Sequence, residues 1–299
     1  MSIPDFQSIM LPMLKLASDG KVRASAEYRH ALSGHFKLTA DELEELLPSG
    51  TQPVFNNRVA WAMIYLERAG LLERPKRGHY VISDRGREVL ESKPPEINIT
   101  YLKQFDKFND FLTKTPGKKD EGQAASVATP EEQLMSSYQQ LRGELAVELL
   151  EQVKSASPQF FERLVVELLV NMGYGGSMLD AGMAVGKSGD EGIDGTIKED
   201  RLGLDVIYIQ AKRWSGTVGR PEVQKFVGAL HGQHARKGVF LTTGTFAQGA
   251  VEYAAGIDPK VVLIDGKRLA ELMIDFNVGV TTRHTYHVKR IDTDYFSEE

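Results

Sequence analysis

Residues 113–129, TKTPGKKDEGQAASVAT, contain one large apolar side chain, Val127, and that gap is the strongest constraint on how the chain can fold. A stretch rich in Lys, Gly, Ala, Ser and Thr with no apolar period cannot contribute to a packed core, so it is expected to be a flexible linker. A chain of 299 residues interrupted there must build two bodies. The patterning differs on the two sides. Helices followed by a hairpin precede the gap, and strands alternating with helices follow it.

Residues 1–92 read as a small α+β unit. Helical spacing appears at Phe6–Ala17, around Val22–Leu32 and at Thr39–Leu47, where Thr39 caps a first turn containing Asp41 and Glu42. Another helix is expected from about Asn56 to Ala69, with Val59, Met63 and Leu66 on one face and Gly70 as its stop. Leu71-Leu72 and Tyr80-Val81-Ile82 then flank a turn containing Pro75 and Gly78, a hairpin signature, and a helix Asp84–Glu91 follows. Helix, turn, helix and a basic-tipped hairpin is the order of a winged helix. Residues 93–154 are expected to connect the two bodies, with a break at Pro94-Pro95, the flexible segment 113–129, and a helix over 130–154 carrying Leu134, Leu141, Leu145, Leu149 and Val153.

Residues 155–299 read as α/β. Ser157 caps and Pro158 opens a helix through Met172, ended by Gly173. Strands are expected at Gly192–Lys198, Leu204–Lys212, Gly238–Thr242 and Val261–Ile264, with helices Pro221–Gln233, Phe246–Ala255 and Lys267–Phe276 between and after them. That alternation predicts a mixed sheet covered on both faces.

Composition removes several classes of function. The chain has no cysteine, which excludes disulfides, thiol nucleophiles, iron–sulfur clusters and cysteine zinc sites. Its first residues lack the basic flank and long apolar run of a signal peptide, and no stretch approaches a membrane span, so a cytoplasmic protein is expected. The net charge of -5 excludes a general basic coat, so any nucleic acid must be met by local patches. One such patch is residues 51–90, where Arg58, Arg68, Arg74, Lys76, Arg77, Arg85 and Arg87 outnumber Glu67, Glu73, Asp84 and Glu88.

The chemistry concentrates between Asp194 and Lys212. Side chains alternate faces along a strand, so Gln210 and Lys212 share one face, with Leu204, Val206 and Tyr208, while Ile207, Ile209 and Ala211 take the other. A polar pair at the end of so apolar a strand is out of pattern, and a lysine there requires a partner. Asp194, on the preceding strand of a hairpin, is the expected partner. Carboxylate and amide oxygens at strand ends suit a hard cation that keeps waters and a phosphate oxygen, and an ammonium beside them stabilises developing charge or helps deprotonate water. The bland reading of the same residues is a structural Asp194–Lys212 salt bridge.

Asp194 with Gln210-Ala211-Lys212 resembles the PD-(D/E)xK nuclease pattern, with Gln in the second acidic position. Phe160-Phe161-Glu162, Gly173-Tyr174-Gly175-Gly176, Gln210-Ala211-Lys212-Arg213-Trp214, Val218-Gly219-Arg220-Pro221-Glu222, Lys237-Gly238-Val239-Phe240 and Leu263-Ile264-Asp265-Gly266 surround it. Together with Phe55-Asn56-Asn57-Arg58-Val59-Ala60-Trp61 and Leu66-Glu67-Arg68-Ala69-Gly70-Leu71 they resemble the Mrr family of bacterial type IV, methylation-directed restriction endonucleases over essentially the whole chain. The resemblance implies an N-terminal winged helix joined to a C-terminal α/β nuclease unit. It also implies Mg²⁺ as cofactor, with Mn²⁺ able to substitute, and methylated double-stranded DNA as substrate. In-line attack by water would leave 5′-phosphate and 3′-hydroxyl ends. By position, Asp194 is the main metal ligand, Gln210 a neutral ligand or water-orienting group, Lys212 the catalytic lysine, and Glu162 the auxiliary acid or else a solvated helix residue. One such site per chain cuts one strand, so a dimer or tetramer is expected, in a prokaryotic, nucleoid-associated setting.

Asn56, Asn57 and Arg58 lie at the start of the expected recognition helix, where side chains reach base edges. Arg74, Lys76 and Arg77 form the hairpin tip, either touching phosphates or merely solvated. Other features are set aside. Gly182–Ser188 has three residues between its glycines where a phosphate-binding loop needs four, so no nucleotide is expected. His231 with His234 and His284 with His287 lack a third zinc ligand. Asp190 and Glu191 read as turn residues, and Trp214 as a packing residue before a base-stacking one. The rival to an endonuclease is a winged-helix regulator whose nuclease-like unit is silent.

Overall fold

The computed structural model describes residues 3–114, 128–175, 193–200, 202–289 and 291. The linker expectation for 113–129, the loop at 182–188, and Asp190 and Glu191 therefore lie wholly or mostly outside the described residues. The chain divides into two compact units, residues 1–140 and 141–299.

In the first unit, α1 (Phe6–Leu16) opens at Asp5, whose carboxylate accepts from the N–H groups of Gln7 and Ser8. Strand β1 (Arg23–Ala24) precedes α2 (Ser25–Phe36), so the helix expected from Val22 begins as extended chain. The short α3 (Ala40–Glu44) is framed by the Thr39–Glu42 capping box. It ends early because the following chain turns back, pairing Leu46 with Pro53. Next come α4 (Val54–Arg68), β2 (Leu72–Lys76), β3 (His79–Ile82) and α5 (Asp84–Glu91). The three strands form an antiparallel sheet in the order β1-β3-β2.

Two helices, α6 (Ile99–Leu102) and α7 (Asp106–Lys114), fall within the span expected only to connect. Their reason is visible in the packing. Leu102 and Phe108 are fully buried in the first core, and the Tyr65 ring of α4 takes Phe6, Phe108 and Phe111 edge-on at 5.3, 5.6 and 6.2 Å. Helix α8 (Pro130–Ser155) then runs across the boundary between the units.

In the second unit α9 (Pro158–Asn171) starts at the Ser157 cap, as its sequence predicts. Strands β4 (Gly195–Lys198), β5 (Val206–Lys212), β7 (Lys237–Thr242) and β9 (Lys260–Ile264) form one sheet in that order. β4 is antiparallel to β5, and the rest are parallel, so the sheet is mixed. A two-stranded ladder, β6 (Thr217–Val218) with β8 (Thr245–Phe246), lies apart from it. Helices α10 (Arg220–Gly232), α11 (Gln248–Ala255) and α12 (Gly266–Asp275) complete the unit. His234 falls past the end of α10 with φ at +53°, so it does not share a helix with His231.

Strand alternation builds two cores from one strand. Ile207 and Ile209 of β5 pack with Phe161 and Val165 of α9, Leu149 and Val153 of α8, and Leu269 and Met273 of α12. Tyr208 packs on the other side with Phe226 and Leu230 of α10, Phe240 of β7 and Ala250 of α11. Burial on both sides explains why the strand reads as a nearly continuous apolar run. Leu204, expected on that strand, precedes it and is exposed.

Candidate active site

The site forms where β4 begins and β5 ends. The register pairs Gly195 with Ile209, and the Asp194 N–H donates to the Ile209 carbonyl at 2.9 Å, which places the Asp194 carboxylate against the last turns of β5. One of its oxygens, Oδ2, accepts from the Gln210 side-chain amide at 2.5 Å and from the Ala211 backbone N–H at 2.6 Å. Two donors on one oxygen fix the carboxylate plane. They leave Oδ1 without a protein partner among the described residues, free to meet a ligand.

Glu162, on the first turns of α9, lines the same shallow cleft as Asp194, together with Val166, Gly195, Ile209 and Ala211. Burial, and then the facing Asp194 carboxylate, push the Glu162 carboxyl above its ordinary value. Two carboxyl groups lining one cleft are an arrangement that suits a cation. Glu162 is half-buried and lines the cleft beside Asp194.

Gln210 is almost fully buried, and its amide nitrogen faces Asp194. A carboxylate takes the N–H side of an amide, so in this structure Gln210 orients Asp194 and does not offer its oxygen to the same point. Among the described residues no three His, Cys, Asp or Glu side chains gather as a ligand set. The donors that converge are two carboxylates and nearby backbone. That set suits a hard divalent cation that fills its remaining positions with water and phosphate oxygens.

The partner expected for Lys212 is corrected by the structure. Its ammonium bonds to Glu222, in the first turn of α10, and lies 4.7 Å from the centroid of the Trp214 ring. Asp194 bonds to Gln210 and Ala211 while Lys212 bonds to Glu222, so the bland Asp194–Lys212 salt bridge does not form in this structure. Lys212 lies on the α10 side of the sheet, as strand alternation requires, and a carboxylate on the covering helix is nearer than one at the start of the neighbouring strand. Glu222 is a side chain to which sequence reasoning assigned no role. Its signal was present as the only acidic residue in the first turn of the helix covering the Gln210–Lys212 face. The Lys212 ammonium beside it holds the Glu222 carboxyl below the usual carboxylate range.

The DNA-facing candidates of the first unit separate into two groups. Arg74, Lys76 and Arg77 are exposed on β2 and the turn after it. Asn56 is half-buried, whereas Asn57 is buried, donating to Glu131 and accepting from the Thr129 hydroxyl at 2.8 Å. Arg58 pairs with Glu132 at 2.8 Å and donates to the carbonyls of Ile3 and Pro4 at 2.7 and 3.2 Å. Both side chains are held inside the first unit in this structure and are not presented to a groove.

Comparisons with known proteins agree with this architecture. A family profile described as restriction endonuclease matches residues 153–273, and one described as the Mrr N-terminal domain matches residues 6–92. The type IV methyl-directed restriction enzyme EcoKMrr of Escherichia coli (strain K12) is 36% identical over 308 residues, spanning 99% of this chain and 100% of that protein. Two solved structures align more loosely. The DNA modification-dependent restriction endonuclease AspBHI is 14% identical with a TM-score of 0.33, covering 70% of this chain and 56% of its own. The MspJI restriction endonuclease in complex with a 27-mer oligonucleotide is 22% identical with a TM-score of 0.27, covering 67% and 44%. Those scores carry no structural argument. Full-length identity to EcoKMrr, with both family profiles in their expected places, establishes that this chain belongs to the Mrr family of restriction endonucleases.

Proposed function

We propose that this chain is a type IV restriction endonuclease that hydrolyses phosphodiester bonds in methylated double-stranded DNA, using Mg²⁺. The observation that carries the reading is the Asp194 carboxylate, held by Gln210 and Ala211 at the end of β5 and sharing a cleft with Glu162, in a chain of this family. Asp194 and Glu162 would hold the cation, which when bound polarises the scissile phosphate and makes a coordinated water more acidic. Gln210 and the Ala211 N–H keep the Asp194 carboxylate in one plane. Lys212 supplies positive charge to the phosphate as negative charge builds on its oxygens. Water attacks phosphorus in line, the bond to the 3′-oxygen breaks, and that oxygen takes a proton, leaving a 5′-phosphate and a 3′-hydroxyl.

The first unit is read as a winged helix, with α4 as recognition helix and the β2–β3 hairpin as wing. Support comes from its element order and from the exposed basic tip Arg74, Lys76 and Arg77. Asn56 remains a candidate for contact from α4, while Asn57 and Arg58 would have to leave their present partners to reach DNA. The silent-regulator alternative is not favoured, because the residues of the nuclease pattern are all present and Asp194 and Gln210 are bonded together.

Cleavage of supercoiled plasmid tests the proposal, on methylated and unmethylated DNA with Mg²⁺. The expected outcome is cutting of the methylated plasmid alone, abolished by Lys212→Ala and by Asp194→Asn. Equal cutting of both plasmids would remove the methyl-directed part. Full activity in both variants would remove the site assignment.

A further inference from the structure

We infer that Glu222 is a positioning residue for cleavage: its carboxylate, with the Trp214 ring, holds the Lys212 ammonium at one point beside the end of β5. The inference rests on the reading of Lys212 as the catalytic lysine. It goes beyond that reading by naming what makes a flexible side chain effective there.

A lysine carries its charge on a four-carbon stem, and fixing that stem costs rotamer entropy. Charge that must be searched for in each catalytic cycle stabilises a transition state poorly, so the benefit depends on placing it beforehand. The geometry supplies two anchors. Glu222 Oε2 accepts from the ammonium, and the Trp214 ring centroid lies 4.7 Å from Nζ. An ammonium has three N–H donors, so one bond to Glu222 leaves others for a phosphate oxygen.

Glu222 is itself well placed to be an anchor. It sits in the first turn of the 13-residue α10, where the helix end favours a carboxylate. Val223 and Phe226, on the same helix, are buried and lock α10 against the sheet. The other oxygen of Glu222 lies 3.3 Å from Lys225, an exposed residue three positions along the same helix. Glu222 and Lys212 are both largely shielded, at 19% and 24% side-chain exposure, so their attraction is weakly screened.

The arrangement also separates two tasks. Asp194 and Glu162 face the cleft, and neither is bonded to Lys212. A lysine anchored on Glu222 does not compete with a divalent cation for the carboxylates that would bind it. A lysine anchored on Asp194 would.

The test uses the full-length protein in four single variants: Glu222→Ala, Glu222→Gln, Lys225→Ala and Lys212→Ala. Nicking of supercoiled plasmid with Mg²⁺ gives kcat and KM, DNA affinity is measured in EDTA, and melting temperature reports folding. Glu222→Ala is expected to lower kcat by up to about 100-fold, the scale of loss when a reacting geometry is displaced by about 1 Å, with KM and DNA affinity unchanged. Glu222→Gln is expected to recover part of that loss, because an amide oxygen still accepts from the ammonium. Lys225→Ala is expected to keep the parent kcat.

A parent kcat in Glu222→Ala, with Lys212→Ala inactive, overturns this inference and leaves the lysine reading standing. Activity persisting in Lys212→Ala overturns both. Should Glu222→Ala melt below the assay temperature, the near-isosteric Glu222→Gln decides: parent kcat in that variant rejects the role.

Discussion

Asn57 and Arg58 are the fourth and fifth residues of α4, near the end at which a recognition helix would offer side chains to DNA, yet both are consumed inside the first unit. Asn57 uses its amide on Glu131 and Thr129, and Arg58 spreads its guanidinium over Glu132 and two backbone carbonyls. Removing one member of such a network leaves a shielded polar group unpaired, at a cost of about 1–3 kcal/mol. Asn57→Ala and Arg58→Ala should therefore each lower the urea midpoint of the first unit, with the m-value unchanged. DNA affinity should fall less in either variant than on neutralising the hairpin tip. Parent stability with lost DNA binding would return both residues to the base-contacting role that the sequence suggests. At the same scale, Gln210 is a residue whose type was legible and whose job was not. The spacing placed it beside Lys212, but only its contact with Asp194 shows that it orients a carboxylate.

The β2–β3 hairpin carries an element-scale prediction. Arg74 and Lys76 lie on β2, the edge strand of its sheet among the described residues, with Arg77 in the turn after it, and the register shifts between Glu73 and Lys76. If the tip lies on phosphates, each lost contact should reduce the slope of log K against log salt by about 0.9. Replacing all three by Ala should weaken binding to every DNA sequence alike and flatten the slope by up to about 3. A slope equal to that of the parent would show a solvated tip. The other decisive element is β5, whose alternation sends Ile207 and Ile209 into one core and Tyr208 into another. Burial on both faces made it legible as a strand and allowed a polar residue to stand out at its end.

For the whole molecule, the balance of charge is the first constraint. A chain at -5 binds DNA only where basic groups are gathered, so its affinity should depend on salt through a few local contacts. One proposed nuclease site per chain has a further consequence: a double-strand break needs two active sites. Co-assembled parent and Lys212→Ala subunits should therefore nick methylated plasmid and yield little linear product, while the parent alone yields linear DNA. Linear product at the same fraction of total cutting in the mixed preparation would show that one chain cuts both strands.

Local order was open to reading from the chain alone. The helices beginning near Phe6, Asp84 and the Ser157 cap, the hairpin before α5, the alternation of strands and helices after residue 155 and the Asp194…Gln210-x-Lys212 spacing all arise from neighbours in sequence. Such signals survive because capping, turn chemistry and side-chain periodicity act over a few residues. Other features depended on which distant surfaces meet. α6 and α7 carry a helical spacing that the sequence reading passed over, Leu102, Phe105, Phe108 and Leu112, but what that face meets, a core built by α1 and α4, was not legible. Asn57 and Arg58 found their partners more than 50 positions away, and Lys212 found Glu222 across a sheet–helix joint. A charged side chain takes the counter-charge that folding brings nearest, and that proximity belongs to the packed structure.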